Sequence, residues 1–498
     1  MRKSVLREAV MVCIAVLALT LTGCEGEKQA HDETPEKPYE GQSIMVIVPK
    51  LHAKLIRGPI LDEVAAFEAK TGAKIRVVTP GWDDTINNIR NSLHDENLHY
   101  DIYVVIALWK GTLFGGDYIE PVPQWVKDRI DWDDVLPIYK QHILSWNGIA
   151  YGLPYDGDCI NLYYRKDIFA NEAYRADFRA RYGRELEPPK TWKAYEEVAA
   201  FFNGWDWDGD GTVEHGFAGS RIKGDVTLLQ FFTQAAAYAK HPDDPAYYFD
   251  PDTMKPRINS PAFVRALEEY VHMMMYGPEG MANFAGHDVR NAFAAGEVAM
   301  AVDWADLGIY SVNSPVSVVH DKVGYAQIPG SDEVYNHRIG TWEQRYNQVS
   351  SISGNWMFLI NKKSRNKRLA FEFAAHMTSP ELTKILTATS GNAVNPSRYS
   401  HFKDPASWQK SGFSTESADR YLKEITASLA NPNVVYDITI PGAGAYYQAL
   451  DEYVHKAVTG EMTPKEALDH AADAWEKITD RLGREAQVRY YKASLNQD

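Results

Sequence analysis

The chain reads as an α/β protein of at least two domains, on three observations. Short apolar runs alternate with stretches of helical periodicity, the pattern of β-α-β units. At 498 residues the chain is longer than one hydrophobic core organises. Its three cysteines, Cys13, Cys24 and Cys159, are too few for a disulfide framework, so ordinary apolar cores must hold it.

The first element lies ahead of the fold. Arg2, Lys3 and Arg7 precede an apolar run over 9–21, and Leu21-Thr22-Gly23-Cys24 follows. A short apolar run behind positive charge, closed by small residues, predicts a signal peptide over 1–23 with a lipobox and Cys24 as the lipidated residue. The run is too short for a permanent membrane helix, which needs ~20 apolar residues. Residues 24–42 are charged and nearly free of apolar side chains, which predicts a flexible tether. No later segment is long and apolar enough to span a membrane.

Next comes a strand over 43–48, a helix over 60–71 with Leu61, Val64, Ala65 and Phe67 at helical spacing, a stop at Gly72 and a strand over 74–78. A helix over 85–93 and a buried strand over 100–106 extend this to an open parallel sheet. Ligands sit at the carboxyl ends of such strands, here 49–53, 80–84 and 107–111. Beyond Tyr151, helices are expected over 192–202, 226–238, 261–275, 288–295, 367–377, 380–389 and 444–458. Strands are expected over 299–302, 323–326 and 357–360, so the chain crosses between domains more than once.

The formal charge of −15 excludes an electrostatic nucleic-acid binder. Thirteen Trp and 29 Tyr supply rings that either fill cores or offer flat faces to pyranose rings.

Seven segments then carry a family likeness: AAFEAKTGAKIRVV at 65–78, DIYVV with FGGDYIEPV within 101–122, YGLPYDGDCINLYYRKDIF at 151–169, PPKTWKAYEEVAAFF at 188–202, AFAAGEVAMAVDWAD at 292–306, SGNWMFLINKKSRNKRLAFEFAAHMTSPE at 353–381 and GEMTPKEALDHAADAW at 460–475. In this order the chain resembles the extracellular solute-binding proteins of ABC importers, in the maltose-binding-protein-like branch. The resemblance implies a two-lobed periplasmic-binding-protein type II fold with hinge crossings near Asp156, Trp304 and Phe373. Lobe one would be 43–156 with 305–373, lobe two 157–304 with 374–484, and 485–498 a C-terminal tail. It implies a monomeric receptor, lipid-anchored in the cell envelope. Such a receptor captures a sugar or oligosaccharide between the lobes and delivers it to the permease subunits of an importer. A bound solute that touches both lobes selects the closed state.

Each candidate contact has a plainer reading beside it. Trp82 and Trp109 follow sheet strands, where an indole stacks on a sugar or covers loop backbone. Asp156 and Asp158 accept paired hydroxyls or merely build a turn around Gly157. Asp303 and Trp304 end a strand where the resembling proteins place an aromatic platform. Gly354 admits backbone to a ligand or makes a tight turn; Asn355 offers donor and acceptor, and Trp356 opens the strand. Tyr446 and Tyr447 begin a helix that faces the ligand in the family; they point about 100° apart, so either both reach the ligand or one of them is core. Adjacent tyrosines ligate iron in some relatives, but no His and carboxylate set is legible here to complete such a site.

Asp206, Asp208 and Asp210, with Gly211 sixth and Thr212 seventh, follow the first half of a calcium loop. Position twelve is Phe217, which rules out a complete EF-hand, while Glu214 at position nine could help finish the ligand set. No cofactor is required; the loop reads as a structural Ca²⁺ site or a solvated acidic turn. Two other functions stay open: a receptor for a polyamine, peptide or other cation, to which aromatic and acidic residues are also suited, and a secreted glycoside hydrolase. No nucleophile elbow, zinc helix or Gly-rich phosphate loop is present, which favours a binder over an enzyme.

Overall fold

The computed structural model describes residues 37–495 except 52–53, 96–98, 225–226 and 404. The leader, Cys24 and most of the tether lie outside the described residues. Residues 39–42, expected in the tether, instead dock on the fold: Tyr39 N–H donates to Thr71 O at 2.9 Å, and Gln42 O accepts from Lys74 N. Backbone bonds of that kind hold a segment that has little apolar surface to bury.

Strand β1 (Ser43–Ile47) leads into helix Arg57–Thr71, which ends where Gly72 takes φ 77° and returns its N–H to Glu68 O. Strand β2 (Lys74–Val78), helix Trp82–Ser92 and strand β3 (Ile102–Ile106) follow. After β4 (Gly152–Pro154), β5 (Ile160–Arg165) opens the second half of the molecule, with β6 (His215–Ala218) and β7 (Val298–Trp304) beside it. Then come β8 (Val323–Gln327) and β9 (Trp356–Ile360).

These nine strands form two sheets, ordered β2-β1-β3-β9-β4 and β8-β5-β7-β6. In the first, β1 pairs in parallel with β2 and β3, as the β-α-β pattern requires, while β9 runs antiparallel to β3 and β4. In the second only β6 and β7 are parallel. Helices expected from periodicity lie close to their predicted bounds, among them Trp192–Phe202, Leu228–Ala239, Pro261–His272, Lys367–Met377 and Ala443–Val458.

Two expected boundaries move. Strand β8 pairs along its whole length with β5, so 305–327 belongs to the second lobe and the return to the first comes between β8 and β9. Helix Lys367–Met377 packs on β9, and the Arg398 guanidinium still bonds Ile130 O and Asp131 O in the first lobe. The last crossing therefore follows Arg398, ahead of helix Thr415–Ala430, which lies on β5 and β8.

The expected tail is also structured. Thr463 and Glu466 form a capping box at the start of helix Pro464–Leu482, a device worth about 1 kcal/mol, and helix Arg484–Ser494 follows. The buried Tyr491 hydroxyl of that last helix accepts from the backbone N–H groups of Tyr247, Tyr248 and Phe249 at 3.1, 3.1 and 3.3 Å. Among the described residues no helix is long and apolar enough to cross a membrane.

Candidate functional site

The chain crosses between the sheets at residues 155–159. Tyr155 and Asp156 both donate their amides to Trp356 O, and Ala305 N–H closes on Cys159 O. A side chain on Gly157 would collide with the Pro396 backbone, so only glycine lets the crossing lie this close to the segment that carries Asn395. Asp156 and Asp158 are thereby held side by side and buried.

Asn395 clamps the pair. Its backbone N–H donates to Asp156 Oδ1 at 2.6 Å and its side-chain amide to Asp158 Oδ1 at 2.5 Å. Asp156 Oδ2 has no partner among the described residues. Burial pushes Asp156 up to about 7, and burial with the adjacent Asp156 charge raises Asp158 well above the ordinary carboxylate range, so the pair titrates as one coupled unit.

Arg290 is the cation of this region. Its Nε donates to Asp303 Oδ2 at 2.8 Å and a terminal nitrogen lies 2.9 Å from Asp306 Oδ2. Asp303 also accepts from Trp304 N and Gln230, and burial, offset by Arg290, leaves its acid at about 6. Asp303 was expected to meet ligand; instead its oxygens hold Arg290 and the end of β7.

Trp304, Gly354, Trp356 and Asp158 line one small cavity with Arg290, Leu51, Leu55 and Ile56. Trp304 Nε1 donates to Ser353 O at 3.0 Å, which fixes the indole plane. Gly354 takes φ 89°, and a Cβ there would sit 3.0 Å from Asp158 Oδ2 and 3.1 Å from Trp304 Nε1. Asn355, fully buried between two lining residues, carries an amide whose nitrogen and oxygen both lack a partner. Leaving such groups unbonded costs about 1–3 kcal/mol each.

Trp82 starts a helix where a loop was expected, and its ring centroid lies 6.3 Å from both Trp356 and Tyr447. These three rings form an aromatic wall running into the cavity at Trp356. Tyr446 does not join it. Its hydroxyl meets Thr479 at 2.8 Å and its ring lies against Phe249 and Trp475, so it is core, as the 100° offset between neighbours allows. Trp109 is buried in the turn Ala107–Trp109, packed on helix Ala443–Val458, and does not line this cavity.

Sequence reasoning missed Arg290, Asn395 and Asp437. Asp437 Oδ2 accepts from Gly354 N at 3.2 Å, and burial lifts its acid to about 7. Only Arg290 left a signal, as a lone cation among Val289, Ala292 and Phe293 on a buried helix face.

Away from this site, one carboxylate oxygen each of Asp206, Asp208, Asp210 and Glu214 fall within 4.8 Å of one another. Gly209 and Gly211 turn the loop at φ 80° and 88°, and Asp206 accepts from both of their amides. Burial first, then the three aspartates, raises the Glu214 acid. The all-oxygen donor set fits a hard divalent cation such as Ca²⁺; Thr212, exposed, would contribute only its backbone carbonyl.

Comparison with known proteins places the chain in a family. A family profile for bacterial extracellular solute-binding proteins matches residues 63–415, well over half of the chain. The chain belongs to the bacterial extracellular solute-binding proteins. A mannitol-binding protein of Pseudomonas aeruginosa is 26% identical over 387 residues, covering 76% of this solute-binding protein and 80% of the relative. Among solved structures, a solute-binding protein from Agrobacterium radiobacter K84 in complex with ribitol superposes at a TM-score of 0.69, with 20% identity, covering 89% of this chain and all of that one. Maltose-bound MalE3 of T. maritima gives 0.66 and 19%, covering 88% and 99%. These likenesses show the two-lobed periplasmic-binding-protein fold. The matching family and these relatives are binding proteins, not enzymes.

Proposed function

We propose that this solute-binding protein is a receptor for a sugar or sugar alcohol and that its site is the cavity at Trp304. The observation that carries the reading is the meeting, at one crossing, of the clamped Asp156–Asp158 pair with the Trp304 and Trp356 rings, which line one cavity together with Asp158. Carboxylates take up hydroxyl donors, and indole faces cover the C–H surfaces of a sugar. Mannitol, ribitol and maltose are named for the relatives.

The cavity measures only about 30 Å³, against the ~300–1,000 Å³ of ligand pockets, so a solute enters by parting of the lobes. Four buried aspartates around one arginine also suit an ammonium group. The raised Asp156 and Asp158 acids and the Arg290 charge reduce that field, which favours an uncharged, hydroxyl-rich solute.

Thermal shift with mannitol, ribitol, maltose and putrescine separates these. A stabiliser at a hundred times its Kd adds about 2.7 kcal/mol. A melting temperature raised by a polyol or sugar, and not by putrescine, supports the reading. Stabilisation by putrescine alone overturns it.

The finer picture is a chain anchored through lipid on Cys24, monomeric, handing its solute to the permease subunits of an importer. Two acyl chains on one residue give stable anchoring where a single chain does not. Detergent partitioning that is identical for Cys24→Ser and the natural chain would refute the anchor. The acidic loop at Asp206 holds a structural Ca²⁺ that neutralises converging carboxylates. Chelator-treated protein should gain melting temperature on adding Ca²⁺, and Asp208→Asn should not; no gain in the natural chain removes the ion.

A further inference from the structure

Asp437 joins the solute cavity to a larger one. One Asp437 oxygen holds the Gly354 amide, and the same residue lines a cavity of about 490 Å³ walled from both lobes. That volume falls within the range of small-molecule sites. None of the residues around the solute cavity is part of its walls.

The charge of this cavity opposes that of the protein. Lys110, Lys127, Lys140 and Lys240 line it, and Asp437 is its one acid, in a chain of net charge −15. Lys110 and Lys240 are buried, and backbone carbonyls hold them: Lys110 Nζ donates to His142 O at 2.5 Å, Lys240 Nζ to Asp244 O at 2.7 Å. Among the described residues no carboxylate lies within ion-pair distance of the four ammonium groups. Burial drives Lys110 down to about 7 and Lys240 to about 8. Asp437 and Asp244 offset this burial only in part, for Lys110 and Lys240 respectively; a desolvated ammonium with no carboxylate at ion-pair distance is costly, and an anion from solution relieves it.

The walls are also flat. The His142 ring of the first lobe stacks on the Tyr436 ring of the second at 4.7 Å and 14°, and Trp146 lies with its centroid 6.0 Å from Lys110 Nζ. Burial first, and the nearby Lys110 charge, lower the His142 pKa and so favour its neutral ring.

We infer that this cavity is a second binding site, for a small organic carboxylate with a flat apolar body, its charge on Lys110 and its face on the Trp146 and Tyr436 rings. Because the walls come from both lobes, its occupant bears on their spacing independently of the solute.

Calorimetric titration of the full chain with benzoate, indole-3-acetate, benzyl alcohol and inorganic phosphate tests it. An aryl carboxylate should give saturable one-site heat, with benzyl alcohol and phosphate at least tenfold weaker. Lys110→Met should lose at least tenfold in affinity while Trp304→Ala keeps it; Lys140→Gln and Trp146→Ala on the cavity rim should each weaken binding, which serves should Lys110→Met not fold. Absence of heat from both carboxylates overturns the site, as does binding indifferent to the rim variants. Phosphate binding as tightly as indole-3-acetate overturns the flat ligand. Loss in Trp304→Ala assigns the anion to the solute cavity instead, and failure of the polyol titration leaves this site standing.

Discussion

Replacing Gly354 by alanine separates what this glycine does for the backbone from what it does for the site. At φ 89° an L-residue costs about 1–2 kcal/mol. The added methyl then sits 3.0 Å from Asp158 Oδ2 and 3.1 Å from Trp304 Nε1, a crowding that typically costs a further ~1–3 kcal/mol. Gly183 supplies the control: its φ is 68°, and nothing lies within 4 Å of the Cβ it would gain. Gly183→Ala should therefore lose only the backbone share, about 1–2 kcal/mol of unfolding free energy by urea titration, and bind solute as before. Gly354→Ala should lose about 2–5 kcal/mol, the sum of both shares. It should also weaken binding of the stabilising polyol at least tenfold, about 1.4 kcal/mol, because Asp158 and Trp304 are pushed apart. Equal destabilisation by the two substitutions, with unchanged affinity in both, would refute the placement of Gly354 at the heart of the site.

Arg290→Met strands Asp303 and Asp306 in the interior, and the expected loss is about 3–5 kcal/mol in urea titration; a loss below 1 kcal/mol would mean that the carboxylates are already neutral. Asp156 keeps its proton to about pH 7 in the folded chain but sheds it near ~4 when unfolded, so its contribution is full below the lower value and drains away as pH rises through 7. Asp156→Asn should flatten the change in unfolding free energy between pH 5 and 8, and an unaltered slope would count against the buried acid. Tyr446→Phe loses the Thr479 bond, about 1 kcal/mol, and should leave polyol affinity untouched, whereas Tyr447→Ala removes part of the aromatic wall and should weaken it. The reverse pattern in the two affinities would exchange the roles of these tyrosines.

Local signals were legible because they repeat within a few residues. The helix ending at Gly72 and the flanking parallel strands follow from periodicity and a left-handed stop. Pairing across the chain was not: β8 looked like a strand, but its partner β5 lies about 160 residues earlier, and nothing in VGYAQ names that partner. The same holds at the site. Asp158, Gly354 and Trp304 stood out by residue type beside strand ends. Asp303 looked identical to Asp158 and turned out to serve Arg290, because which oxygen meets which cation depends on how a helix leans on a sheet. Asn395 and Asp437 sit in irregular backbone, where no period marks which residues face inward.

The three amides gathered by Tyr491 have a practical consequence for anyone building a fluorescent reporter from this receptor. Cutting the chain after Leu482 would leave those donors in the interior with no acceptor, at ~1–3 kcal/mol apiece. Attachment of a dye or fused domain therefore belongs beyond Leu495, with the last helix kept whole.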